Sequence, residues 1–256
     1  MTFDEPPLNE VALGRTFLPR PDFLVPYFGA FWERIRDQLP SAAHAGPIIE
    51  QNETPFDESG VLLPRVWFLS SDSTKLLQLQ QNRFHYNWRQ TPENQTYVRF
   101  PTIQREALGL WEKFEQFILE VTKQPLQPVS NELTYTNFIP SEAGMNSFAL
   151  AEVSLRDPVW SRHDRFLDAP TVFGHTYNFV VPNELGILQV STGSAKKREG
   201  DVGLKLELTV RGKHSDAKPF KQWSSEAHDF LVAAFKDLTT PLMHGKWKLR
   251  EDGNGK

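Results

Sequence analysis

The amino-acid sequence contains no cysteine among its 256 residues. Disulfide bonds, thiolate nucleophiles, zinc ribbons and cysteine-ligated iron–sulfur clusters are therefore excluded for this chain. No apolar run reaches the length of about 18 residues that a membrane-spanning helix requires. The first residues, MTFDEPPLNE, also lack the apolar segment of a signal peptide. These absences predict a cytoplasmic protein that does not enter a membrane.

Local motifs of catalysis and metal binding are absent as well. The chain has no GxSxG nucleophile turn, no GxxxxGK[ST] phosphate loop and no HExxH pair, and its seven histidines show no paired metal spacing. We therefore predict no cofactor, no metal and no catalytic residue. A hydrolase with His85 or His163 beside carboxylates remains an alternative, because active sites assembled from distant segments leave no local motif.

The composition is that of a folded, mildly acidic protein. Hydrophobic residues make up 39% of the chain, aromatic residues 12% and charged residues 23%, which is enough apolar material for one large core or two smaller ones. The formal net charge is -4. This balance gives no global electrostatic signal for nucleic acid or for an anionic membrane.

The periodicity of apolar residues predicts both strands and helices. Alternation predicts strands, and spacing of three and four residues predicts helices. Strands are predicted over 10–18, 65–70, 75–80, 83–89, 131–140, 172–181, 185–194 and 202–211. Helices are predicted from Asp22 or Pro26 to Gln38, from an N-cap at Thr102 to Val121, over 144–156 and over 224–239.

Two segments of the chain, together with the order of the predicted elements, indicate an internal duplication. The segment NELTYTNFIP at 131–140 resembles NEVALGRTFLP at 9–19. We predict an α+β protein of two tandem βαβββα-like repeats, with antiparallel strands and helices packed on one face. The repeats are assigned to residues 1–128 and 129–256, either as two domains or as one continuous domain.

The stretch KLLQLQQNRFHYNWRQ, at 75–90, alternates like a strand but slips phase at Gln81-Asn82. A tight hairpin or a bulge explains the slip, because Asn can adopt the left-handed conformation that either requires. The aromatic residues at even positions, Phe84 to Trp88, are predicted to face the helices.

The opposite side of that strand carries a polar row on the face that no helix covers. Arginine binds phosphate or carboxylate with two parallel hydrogen bonds, and histidine and asparagine add further ones. The predicted ligand- or partner-binding residues are Arg83, His85, Asn87, Arg89 and Arg99. The alternative is an ordinary solvated sheet face.

Two further segments carry polar candidates. The basic tip Lys196, Lys197 and Arg198, in TGSAKKREGD, is a nucleic-acid candidate or a solvated turn. On the strand predicted over 131–140, Tyr135 and Asn137 lie on the same face. An Asn facing the helices would need satisfied hydrogen bonds there.

Motifs along most of the chain resemble a sporadically distributed family of uncharacterised bacterial proteins of about 250 residues. The similarity lies in LQLQQNRFHYNWR, in YVRFPTIQREALGLWEKFEQF, in NELTYTNFIP and in EAHDFLVAAFKDL. It is described by the patterns RFxxNWR and ELxYxNxI. The chain departs from the pattern at Tyr97-Val98-Arg99, where relatives tend to have a proline. The resemblance implies an accessory role of the defence or toxin-regulation type.

These observations favour a non-catalytic binding or regulatory protein that acts through a protein partner, the product of a neighbouring gene. The first alternative is a nucleic-acid- or nucleotide-binding module that uses the arginine-rich sheet face. The second alternative is the hydrolase named above.

Overall fold

The computed structural model describes residues 1–20, 22–49, 63–141, 145–157, 166–167, 170–197 and 200–251. The strands are β1 Thr2–Phe3, β2 Leu8–Phe17, β3 Ser41–Ala45, β4 Arg65–Leu69, β5 Lys75–Gln80, β6 Arg83–Arg89, β7 Pro128–Pro140, β8 Gly174–Val181, β9 Gly186–Lys196, β10 Val202–Lys213 and β11 Leu249–Arg250. The helices are α1 Val25–Glu33, α2 Phe100–Thr122, α3 Ser147–Ser154, α4 Phe220–Leu238 and α5 Pro241–Lys246.

Nine of these strands form one mostly antiparallel sheet, in the order β3-β4-β5-β6-β2-β7-β10-β9-β8. The predicted α+β class is confirmed. The two remaining strands, β1 and β11, pair with each other. Within the described ranges, no helix is long and apolar enough to cross a membrane.

The chain divides into two compact units. Unit 1 contains Met1–Asn9, Thr134–Val210 and Ser225–Lys256, and unit 2 contains Glu10–Leu133 and Arg211–Ser224. Each unit therefore takes segments from both halves of the sequence. The division at residue 128 and the internal duplication stay predictions; the first half has an additional strand, β3, between its first helix and β4–β6.

The core of unit 2 is aromatic and lies between the sheet and α2. The Phe84 ring lies 5.2 Å from the Trp111 ring and 5.7 Å from the Phe114 ring, centroid to centroid. Phe31 of α1 packs against Phe114 at 5.2 Å. Burying a side chain of this size stabilises a fold by about 1.5–3 kcal/mol, so the predicted apolar stripe of α2 holds the helix on the sheet.

The phase slip in the 75–90 stretch is a hairpin. β5 and β6 pair antiparallel with Gln80 opposite Arg83, which leaves Gln81 and Asn82 as the connection. Asn82 is not among the described non-glycine residues with positive φ, so its predicted left-handed conformation is wrong. Its carbonyl oxygen instead accepts a hydrogen bond from the Phe17 amide at 3.0 Å.

Helix α2 begins earlier than predicted. Thr102 is not its N-cap; the helix starts at Phe100, and the capping position is Arg99, which has a φ of 67° and no side-chain cap. Pro101 explains this start, because proline fits the first helical turn, where an amide hydrogen would have no partner.

In the part of β7 that belongs to unit 1, two polar residues lie on one side of the strand as predicted. Tyr135 and Asn137 are both buried. The Tyr135 hydroxyl and Nδ1 of His228 on α4 lie 2.6 Å apart, and Asn137 Nδ2 donates to the Leu206 carbonyl at 3.1 Å. The expectation that an Asn on this side has a satisfied hydrogen bond is confirmed.

Candidate functional site

The predicted polar row on β6 lies on the sheet face opposite the aromatic core. That face is covered at these residues, not open to solvent. Arg83, His85 and Asn87 expose only 4%, 7% and 3% of their surface. The expectation that they are open to solvent is therefore wrong. At Gln80 on the neighbouring strand, the side chain exchanges two hydrogen bonds with the Ile48 backbone, at 2.8 and 2.9 Å. The backbone of Ile48, which follows β3, thus lies against this face at Gln80.

His85 reaches across one strand to meet a carboxylate. Its partner in the register of β6 and β2 is Gly14, and a Cβ atom at Gly14 would lie 2.3 Å from Cδ2 of the imidazole and 2.5 Å from the Phe84 carbonyl oxygen. The ring therefore occupies the space that a side chain would fill. On the far side of β2, His85 Nε2 lies 3.5 Å from Glu132 Oε1 on β7, an ion-pair distance rather than a hydrogen bond.

Glu132 lies between this histidine and an arginine. Nε of Arg211 on β10 donates to Glu132 Oε2. Burial alone would raise the pKa of Glu132, but His85 and Arg211 outweigh it and lower the pKa to about 2. The carboxylate is therefore ionised at all ordinary pH values, and a His–Glu–Arg chain connects β6, β7 and β10 over the top of Gly14.

A second polar chain runs along the same face from β4 to β2. Gln78 Oε1 accepts from Arg65 Nη1 and from Trp67 Nε1, both at 3.1 Å. Gln78 Nε2 donates to Asn87 Oδ1 at 3.0 Å, and Asn87 Nδ2 donates to Glu10 Oε1 at 2.5 Å. Because a buried polar group without a partner is costly, these hydrogen bonds explain how Asn87 is tolerated inside.

The three predicted arginines have different surroundings. Arg83 is buried opposite Gln80. Arg89 Nε donates to the Ser73 carbonyl at 2.9 Å. Arg99 is not on β6; it precedes α2, is exposed, and lies over the Tyr97 ring at 5.5 Å. Of the predicted set, the structure places His85 and Asn87 in the two polar chains of this face.

The predicted basic tip is only partly described. Lys196 ends β9 and is exposed, while Lys197 is half-buried with its Nζ atom 4.6 Å above the Phe138 ring. Arg198 lies outside the described residues. His163, named for the hydrolase alternative, also lies outside them.

On the helix side of unit 2 lies a buried arginine, Arg15, that is not among the residues predicted from the sequence. Its guanidinium carbon lies 4.9 Å from the Trp111 ring and 4.7 Å from the Phe220 ring. Its Nε donates to Asn131 Oδ1 at 3.0 Å. Burial lowers the pKa of Arg15 to about 10, against the opposing charge of Glu115. The alternation of β2 could have identified it, since Arg15 shares the parity of the core residues before and after it.

His214 joins this cluster in one defined tautomer. Its Nδ1 lies 2.8 Å from Nη2 of Arg15 and its Nε2 lies 3.2 Å from Asp216 Oδ1. A guanidinium can only donate hydrogen bonds, so Nδ1 of His214 accepts and the proton is on Nε2, which donates to Asp216. The Arg15 cluster thus connects β2, β7 and the segment after β10, although Nδ2 of Asn131 is buried without a hydrogen-bond partner.

Strand β8 of unit 1 presents a different kind of surface. It lies at one edge of the sheet, and no strand within the described ranges pairs with its outer side. Its sequence, GHTYNFVV, has no charged residue and no proline. Val180 exposes 88% of its surface and Tyr177 exposes 43%, so apolar side chains lie beside an unpaired strand edge.

Comparison of the chain with models of known protein families and with curated proteins found no match. The kinship suggested by the sequence motifs therefore stays a resemblance. Among the described residues, no three histidine or acidic side chains are grouped so as to hold a metal ion.

The close approach over Gly14 predicts that Gly14→Ala is destabilising. The new methyl group would meet the His85 ring and a backbone oxygen that cannot move away alone, so we expect a loss of about 1–3 kcal/mol in the free energy of unfolding. Urea denaturation measures it. The control is Gly109→Ala in α2, where a Cβ meets nothing within 4 Å and helix propensity favours alanine by about 0.5–1 kcal/mol. Equal stability of the two variants would contradict the account.

The low pKa of Glu132 predicts a pH-dependent contribution to stability. A carboxylate whose pKa is lowered by folding stabilises the protein above its ordinary pKa near 4.3, and this contribution is lost as the pH falls toward 2. We expect Glu132→Gln to be less stable than wild type by about 2–3 kcal/mol at pH 6. The difference should shrink steadily between pH 5 and pH 3 in parallel urea titrations. A difference that stays constant over this range would be incompatible with the ion pairs described.

Proposed function

We propose that this chain is a non-catalytic binding or regulatory protein, and that it binds a protein partner by adding a strand of the partner to the outer edge of β8. The observation that carries the proposal is the free, uncharged and apolar edge of β8 in the described structure. Strand addition is a general mode of peptide recognition, in which main-chain hydrogen bonds supply affinity and alternate side chains supply specificity.

The backbone groups on the outer side of β8 follow from the ladder that it forms with β9. The Ser194 amide donates to the Phe173 carbonyl at 2.9 Å, and the two strands pair antiparallel with His175 opposite Thr192. In an antiparallel pair, hydrogen-bonded and non-hydrogen-bonded residues alternate. Thr176, Asn178 and Val180 are therefore the residues whose N–H and C=O groups point away from β9, toward an incoming strand.

The side chains beside this edge set the chemistry of the partner. Val180 on one face, and Tyr177 and Phe179 on the other, are substantially exposed, as is Ile187 on β9. Edge strands of soluble proteins are ordinarily protected by charges, prolines or bulges, and β8 has neither charge nor proline. The partner segment is expected to be extended, uncharged and apolar at alternate positions.

The opposite edge of the sheet, formed by β3, is less suited to strand addition. β3 spans Ser41–Ala45 and has the sequence SAAHA, five residues with mostly small side chains. The polar face of unit 2 is also less suited to a macromolecular ligand, because Arg83 and His85 are buried. The family resemblance extends the proposal to a partner from a defence or toxin system.

A single proline substitution on β8 tests strand addition. Asn178→Pro removes an outward N–H without removing a bond to β9, and proline is tolerated on edge strands in this position. Asn178→Ala changes the side chain and keeps the N–H. We expect one protein from the source organism to bind the wild type and Asn178→Ala stoichiometrically, and its affinity for Asn178→Pro to fall at least tenfold in calorimetry. Circular dichroism checks that all three proteins are folded.

Two results would overturn the proposal. In the first, the partner binds all three proteins equally, so that the edge of β8 is not the contact. In the second, no partner binds, and light scattering shows that the wild-type chain forms a dimer that Asn178→Pro abolishes. The edge would then be occupied by a second copy of this chain.

A further inference from the structure

Behind β8, on its helix side, unit 1 contains a cavity of about 340 Å³. One wall of the cavity is formed by the aromatic side chains of three alternate residues of β8. His175 and Tyr177 lie 4.8 Å apart, and Tyr177 and Phe179 lie 6.3 Å apart, centroid to centroid. Leu206 of β10 and Leu238 of α4 also line the cavity. Its volume falls within the range of about 300–1,000 Å³ that small-molecule sites occupy.

Two buried polar atoms of this cavity have no hydrogen-bond partner: Oγ1 of Thr192 and Nδ1 of His175. The two residues are opposite each other in the register of β9 and β8 and both line the cavity. Thr192 exposes only 6% of its surface. Because buried polar groups are nearly always hydrogen-bonded in folded proteins, two such atoms at one place indicate a ligand that supplies the missing partners.

We propose that the cavity binds a small, planar, uncharged heteroaromatic molecule, which stacks on Tyr177 and forms hydrogen bonds with Thr192 and His175. The rings of β8 favour an aromatic ligand, because offset and edge-to-face ring pairs add to the energy of apolar burial. The paired polar atoms favour a ring with a donor or an acceptor on its edge, rather than a hydrocarbon.

Charge at the cavity disfavours anions. Asp157 is among the lining residues, and burial lowers the pKa of His175, so the imidazole is neutral at physiological pH. A neutral imidazole can donate from one nitrogen and accept at the other. A phosphate or a carboxylate would therefore meet one negative charge and no compensating positive charge on these lining side chains.

This site shares the rings of Tyr177 and Phe179 with the strand-addition surface, but it uses no outward backbone group of β8. Strand addition uses the outward backbone groups of Thr176, Asn178 and Val180, whereas the cavity uses the helix-side face of β8 and Thr192 on β9. The two proposals can therefore fail independently. Variants of Thr192 leave every outward backbone group of β8 in place.

Indole and adenine serve as heteroaromatic probes, and cyclohexanol serves as an aliphatic control that also carries a hydrogen-bonding group. Binding is measured on the whole chain by saturation-transfer NMR and by calorimetry. Thr192→Val removes the hydroxyl and keeps the shape, and Tyr177→Leu removes the ring from a half-exposed position. The matched control is Thr176→Val, the same substitution on the other face of the β8–β9 pair, where Thr176 Oγ1 contacts Ser191 Oγ at 3.0 Å.

We expect saturable binding of indole or adenine to the wild type and to Thr176→Val, with at least tenfold weaker binding to Thr192→Val and to Tyr177→Leu. The absence of saturable binding of both probes to the folded wild type would overturn the proposal. Equal affinity for cyclohexanol would overturn the aromatic class of ligand. Unchanged probe binding in Thr192→Val and Tyr177→Leu would show that the probe binds elsewhere.

Discussion

On the face of unit 2 opposite the aromatic core, the contacts between polar side chains depend on Gly14, which has no side chain. Because β2 has no side chain there, the His85 ring lies over the strand, and its Nε2 comes within 3.5 Å of Glu132 on the next strand. Any larger residue would hold the ring away from the carboxylate. The contact of the ionised Glu132 with Arg211 completes a polar chain that joins residues of three strands. One missing methyl group thus determines how β6 and β7 are connected on this face.

Unit 2 buries polar groups on both faces of the same strands. On the helix side, Arg15 lies between two aromatic rings and donates to Asn131, while His85 and Asn87 are buried on the other side. Buried ion pairs contribute little net stability compared with apolar residues of the same size. Their geometric demands are strict, however, so a one-residue slip of β6 or β2 would leave several of these groups without partners. We infer that they specify strand register.

The sequence allowed the fold class and most elements to be predicted, because apolar periodicity is a local signal. The phase slip at Gln81-Asn82 predicted a hairpin or a bulge, of which the structure has the hairpin, and the wide apolar stripe predicted α2. Contacts between distant segments could not be predicted in this way. The burial of Arg83 and the meeting of His85 with Glu132 depend on which strands become neighbours. The edge position of β8 has the same origin, since strand order is not encoded in the pattern of any single strand.

The central claim, that His85 and Glu132 interact across Gly14, is tested most directly by a double-mutant cycle. The free energies of unfolding of wild type, His85→Gln, Glu132→Gln and the double variant are measured at pH 5.5, where the carboxylate is ionised. Residues in contact typically show interaction energies of about 0.5–3 kcal/mol, whereas independent sites add within about 0.3–0.5 kcal/mol. The account predicts a favourable coupling of at least about 1 kcal/mol. Strict additivity of the two substitutions would contradict it.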